Sequence, residues 1–282
     1  MKKLVVPTDF SEDAAKAYPL AIKIAKSSGA TIVLLHVLDE HLRFIENMPY
    51  DIFDNSVVYT GEEKTKSDEA ENKMKNLIES KIFEGVEVEF FISDSIQKNP
   101  LKIVLEFLNK KEHSLVVLGT SGDDTFGDTN AEFTARRAVV PVLSVRDINV
   151  DNEIDKILLS TDFKTIDIRF INRIKLIADL MEAEIDFVYV NTPKKFKDTD
   201  YIEKEWSRFK KRFKIERDRL HIFNDHDVEL GIMKVLERTG AGMLALPTHG
   251  RTGLLHMFKG SYVEDIINKA NVPVFSYNMS ND

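Results

Sequence analysis

Short, unbroken apolar runs alternate along this chain with longer stretches in which apolar residues recur every three or four positions. The first pattern is that of a strand buried on both faces, the second that of a helix with one buried side. In the first half the runs predict strands over 2–8, 30–37, 86–92, 114–119 and 140–146. Helices are predicted over 11–28, 62–83, 99–111 and 129–138. Ser11 is placed to N-cap the first helix, with Glu12 and Asp13 favourable in its first turn. Ala14, Tyr18, Ala21, Ile22 and Ala25 share one face of it, and Gly29 ends it. The second half repeats the plan, with strands over 155–161, 185–190, 219–223, 242–247 and 272–277. Its helices are predicted over 166–182, 199–216, 227–239 and 261–270. Strands alternating with amphipathic helices imply an α/β fold with a parallel, doubly wound sheet in each half.

The alternation is an internal repeat. Lys3-Leu4-Val5-Val6-Pro7-Thr8-Asp9-Phe10 returns as Lys156-Ile157-Leu158-Leu159-Ser160-Thr161-Asp162-Phe163, an offset of 162 − 9 = 153. Leu34-Leu35-His36-Val37 returns at the same offset as Phe187-Val188-Tyr189-Val190. Later, Gly119-Thr120-Ser121-Gly122 matches Pro247-Thr248-His249-Gly250, an offset of 247 − 119 = 128. Val140-Pro141-Val142 matches Val272-Pro273-Val274, an offset of 273 − 141 = 132. The first half therefore carries an insertion, placed around 44–68, and a loop four residues short before its last strand. Two domains follow, 1–148 and 154–282, joined by the polar linker from Asp147 to Ile154.

Composition narrows the classes. Hydrophobic residues make up 43% and charged residues 30%, an ordinary globular balance. Cysteine is absent, which removes disulfide scaffolds, thiolate metal sites and Cys nucleophiles, and fits the cytoplasm. The net charge of -8 argues against a nucleic-acid partner. No apolar stretch is long enough to span a membrane, so no membrane partner is expected. The run Leu4–Val6 is broken by Pro7 and Asp9, too early for a secretory leader. The Asp225-His226-Asp227 cluster reads as a helix start rather than a metal site. The lone Trp206, with Phe209 and Phe213, reads as a packing stripe.

The segment richest in chemistry is Leu246-Pro247-Thr248-His249-Gly250-Arg251-Thr252-Gly253, followed at Gly260-Ser261 by a helix start. Glycine lets backbone approach a ligand, and amides at a helix N-terminus attract anions. Arg251 and Lys259 add positive charge. In such sheets ligands bind beyond the carboxyl ends of the strands, at the switch in strand order. The repeated Asp ends the first strand of each half, and the glycine segment ends the fourth.

With "PTDFSEDA", "LLHV" and "THGRTG…GSYVEDII…VPV", the chain resembles a tandem universal stress protein over nearly its whole length. The resemblance implies an adenine nucleotide alpha hydrolase-like fold of two five-stranded parallel sheets, ordered 3-2-1-4-5. Nucleotide-binding members carry Gly-x2-Gly-x9-Gly-(Ser/Thr). The second half matches as Pro247-x2-Gly250-x9-Gly260-Ser261, with proline in place of the first glycine. The resemblance implies ATP, with Mg alongside it, held by Ser160, Asp162, Val190, Leu246, Pro247, Gly250, Arg251, Gly260, Ser261, Tyr262 and Val263. Asp162 and Val190 would meet the adenosine end, as Asp9 and Val37 would in the first half. There the last glycine is replaced by Asp128, in a loop made acidic by Asp123 and Asp124. A carboxylate repels phosphate and occupies the helix N-terminus itself, so this half is not expected to bind ATP. The family further implies pairing of the two domains through their last strands, and a homodimer. No catalytic residue is assigned. A ligand-independent interaction protein, motivated by Pro247 and Asp128, and a slow ATPase are the alternatives.

Overall fold

The computed structural model describes residues 1–38, 61–94, 100–110, 113–121, 130–146, 153–248 and 261–279. Residues 44–60 of the insertion, the acidic loop with Asp123, Asp124 and Asp128, and the glycine loop 249–260 lie outside the described residues.

The first half supplies β1 (Lys3–Pro7), α1 (Glu12–Ala15), α2 (Tyr18–Ser28), β2 (Thr31–Leu38) and α3 (Gly61–Glu79). It continues with β3 (Val88–Asp94), α4 (Pro100–Leu108), β4 (His113–Gly119), α5 (Asn130–Arg137) and β5 (Val142–Val145). The second half supplies β6 (Lys156–Ser160), α6 (Ile168–Met181), β7 (Glu184–Asn191), α7 (Thr199–Phe213) and β8 (Leu220–Asn224). It ends with α8 (Val228–Thr239), β9 (Met243–Thr248), α9 (Ser261–Lys269) and β10 (Val274–Asn278).

The fold is α/β, as the alternation predicts, but the two expected five-stranded sheets are one. The strands form a ten-stranded sheet in the order β3-β2-β1-β4-β5-β10-β9-β6-β7-β8. Within each half the strands run parallel. At the joint β5 and β10 run antiparallel, with Leu143 opposite Phe275. Each last strand would otherwise present unpaired backbone, and the pairing covers both edges at once. The core lies in two layers. Leu4, Ile24, Phe170, Trp206 and Phe275 belong to the layer on one face of the sheet, and Val5, Phe107, Leu246, Ile266 and Val274 to the layer on the other.

The first predicted helix is divided. Ser11 does cap α1, its Oγ accepting from the Ala14 amide at 3.1 Å. The chain then breaks at Lys16–Ala17, and α2 restarts with Pro19 in its first turn. Proline has no N–H to continue the α1 ladder, and it fits a fresh helix start. Asp227 caps α8, its Oδ1 accepting from the amides of Glu229 at 2.8 Å and Leu230 at 3.2 Å. Trp206, Phe209 and Phe213 are all buried along α7.

Candidate functional site

The repeated Thr-Asp-Phe turn follows β1 and β6 and is built alike in both halves. The Thr8 amide donates to Leu35 O at 2.8 Å, and the Thr161 amide to Val188 O at 2.9 Å. Each threonine hydroxyl accepts from the phenylalanine amide two residues on, at 3.1 Å from Phe10 and 2.9 Å from Phe163. Both phenylalanines sit at φ 65°. A bulky side chain there costs roughly 1–2 kcal/mol, so the turn is strained in both copies. Each ring rests on the equivalent residue of the second strand. Phe10 lies 4.7 Å from His36, and Phe163 stacks on Tyr189 at 5.0 Å.

The aspartates within these turns differ. Asp9 is exposed. Its Oδ1 accepts from the Ser11 amide at 2.9 Å. Burial works against its charge, yet the Ser11 hydroxyl and amide, with His36 nearby, hold the carboxyl below its ordinary value. Asp162 is half-buried. Its Oδ1 accepts from the Lys164 amide at 2.9 Å, the Thr165 amide at 2.8 Å and the Thr165 hydroxyl at 2.8 Å. Its Oδ2 is buried and has no hydrogen-bond partner among the described residues. A buried acceptor left unmade costs about 1–3 kcal/mol, and more when charged. One oxygen therefore builds the turn, and the other is left buried without a partner among the described residues.

Around Asp162 stand Lys164, Tyr189 and Tyr201. Burial pushes the Tyr189 phenol above its ordinary value, and Tyr201 and Asp162 add to the effect. The Tyr201 hydroxyl, with Glu205 and Asp162, holds the Lys164 ammonium above its own. Periodicity did not single out these three residues. For Tyr189 alone the repeat offers a signal, because Tyr189 is the counterpart of His36.

The other expected site residues take different places. Ser160 ends β6, buried and opposite Val188. Val190 pairs with Phe223. A Cβ on Gly231 of α8 would come within 2.6 Å of Val190 Cγ1. The Val190 side chain thus packs beneath α8, leaving its backbone for any contact at the strand end. Leu246 is fully buried in the core layer under α8 and α9, so it too offers only backbone. Pro247 is buried opposite Tyr277, two residues past Ala245, the last β9 residue paired with β6. The missing N–H faces the side where that ladder has ended, so the proline costs the sheet no bond. Ser261, Tyr262 and Val263 form the start of α9. Gly250, Arg251 and Gly260 lie outside the described residues.

The position equivalent to Pro247 explains part of the asymmetry between the halves. A Cβ on Gly119 would meet Asp13 O at 1.8 Å, so α1 sits backbone to backbone on the end of β4. Gly119 is required by that packing. In the second half residues 165–167, the counterparts of 12–14, are not helical, and α6 begins at Ile168. The helical turn that would press on Pro247 is missing, which lets the proline stand there.

The universal stress protein family model matches this chain twice, over residues 1–146 and 153–277. Universal stress protein MJ0531 of Methanocaldococcus jannaschii is 28% identical over 151 residues, 51% of this chain and 82% of that protein. Among solved structures, a universal stress protein from Archaeoglobus fulgidus DSM 4304 superposes with a TM-score of 0.73 at 18% identity, covering 98% of each chain. PA1789 from Pseudomonas aeruginosa PAO1 superposes with a TM-score of 0.58 at 15% identity, covering 99% of this chain and 92% of that one. These two likenesses concern the fold.

Proposed function

The chain belongs to the universal stress protein family, matched once in each half, and from that premise we propose that it binds ATP or a related adenine nucleotide in its second half, without a dedicated catalytic residue set. The observation that carries this reading is the buried, unpartnered Oδ2 of Asp162. Adenine and ribose both bring N–H or O–H donors, and a donor there would remove the cost of the orphaned acceptor. Asp9, exposed in the first half, offers no such incentive.

Asp162, with Ser160 and the backbone of Val190, would hold the adenosine end. The backbone of Leu246 and Pro247 would line the path toward the phosphates. Gly250, Arg251 and Gly260, with the amides of Ser261, Tyr262 and Val263, would take the phosphates and any accompanying Mg. Helix N-termini suit anions by dipole and by free N–H groups. The domain limits fall at 1–148 and 154–282, and the pairing of β5 with β10 persists in solution. A homodimer would then need another surface, because both last strands are used within one chain. The protein works in the cytoplasm.

The test is to denature natively purified protein and identify released nucleotide by mass spectrometry, alongside a thermal-shift titration with ATP. Released adenine nucleotide and a dose-dependent rise in Tm are expected. No release and no shift would leave a ligand-independent interaction protein as the better account.

A further inference from the structure

Each half fastens the last helix of the other. Asn278, at the end of β10, donates through Nδ2 to Arg136 O in the last turn of α5. Its counterpart Arg146, just past β5, donates through Nη1 to Asn268 O in the last turn of α9 at 2.6 Å. These carbonyls are among those a helix leaves without an intrahelical partner. The two contacts match in place but not in charge. Only the one reaching α9 is made by a cation, which also complements the negative end of the helix dipole.

Helix α9 has need of it. It spans 9 residues, too short to persist on its own propensity. The base in its own last turn, Lys269, is paired with Glu229 of α8 at 2.8 Å. The end of β9 leans on the first half as well, with Thr248 Oγ1 3.5 Å from Ala135 O.

We infer that Arg146 of the first half is a positioning residue for the second half's site, anchoring the C-terminus of α9 so that its N-terminal amides are held for an anion. The inference rests on the nucleotide reading above. It also gives the copy with the broken motif a role in binding.

The experiment compares the full-length wild type with Arg146→Met, Arg146→Lys and Asn278→Ala, by amide hydrogen exchange over 261–269 and by ATP titration. Arg146→Met is expected to speed exchange in α9 by about tenfold or more, the scale of one charge-assisted hydrogen bond, and to weaken ATP by a similar factor. Arg146→Lys keeps the charge and should recover most of both. Asn278→Ala should speed exchange in α5 and leave α9 unchanged. Unchanged α9 exchange in Arg146→Met overturns the inference, as does faster exchange with unaltered ATP affinity. A wild type that takes up no ATP refutes the nucleotide reading instead, and α9 exchange then decides alone whether Arg146 orders that helix.

Discussion

Substituting Gly119 by alanine tests the contact that sets the two halves apart. The new Cβ would stand 1.8 Å from Asp13 O, 2.8 Å from Asp13 C and 3.0 Å from Ala14 Cα. Non-bonded carbons prefer about 3.5–4.0 Å, so one partner must retreat by more than about 1 Å. Strand β4 is held on both sides, by β1 and β5, so α1 has to move. Its single turn is capped by Ser11 Oγ on the Ala14 amide, a bond worth about 1 kcal/mol. Overpacking itself costs typically 1–3 kcal/mol. Together the loss should be about 2–4 kcal/mol. Urea denaturation would read it as a lower midpoint at unchanged slope. At the equivalent position, Pro247→Ala should cost about 1 kcal/mol or less, because no helical turn opposes it. If Gly119→Ala costs under about 0.5 kcal/mol, α1 is not seated on β4 in solution and this account of the asymmetry fails.

Three further outcomes are expected. Asp167 caps α6, its Oδ1 accepting from the Phe170 amide at 2.9 Å; Asp167→Ala should lose about 1 kcal/mol in the same denaturation, and no loss would remove the cap from the account. Burial, with Asp9 nearby and despite the Thr8 hydroxyl, raises the Tyr18 phenol above its ordinary value. A phenol raised on folding gives stability that is complete below the unfolded value of about 10 and is lost as pH rises through the folded value. Denaturation midpoints should therefore fall above about pH 10, and fall less in Tyr18→Phe; equal falls would contradict the burial argument. Finally, Asp162→Asn keeps an acceptor for the turn but puts an N–H donor where Oδ2 stood, so nothing there can accept from a ligand and the thermal response to ATP should be lost. An unchanged response to ATP would mean that Oδ2 takes no part in binding.

Much of the fold was legible in the sequence because the repeat and the strand periodicity are local. Thr8-Asp9-Phe10 and Thr161-Asp162-Phe163 not only match in letters but adopt the same turn, down to the left-handed phenylalanine. The joining of the two sheets was expected only through the family resemblance, because local pattern does not encode which strand Val142–Val145 meets across space. The break between α1 and α2 had a visible cause in Pro19. Gly119 read as part of a phosphate motif, yet its role here is a backbone contact with Asp13, a residue more than a hundred positions away. Asp162 was identified by resemblance. What distinguishes it from Asp9 is the burial of one oxygen, which no local pattern encodes. The reach of Arg146 to Asn268 is likewise a matter of the pseudo-symmetric packing of the halves.

The central claim, that the second half alone holds a nucleotide, is tested most directly by calorimetric titration of ATP into the full chain and its Asp162→Ala and Asp9→Ala variants. A single equivalent bound by the wild type, lost in Asp162→Ala and kept in Asp9→Ala, is the predicted result. Two equivalents, none at all, or a loss caused by Asp9→Ala with binding kept in Asp162→Ala, would contradict it.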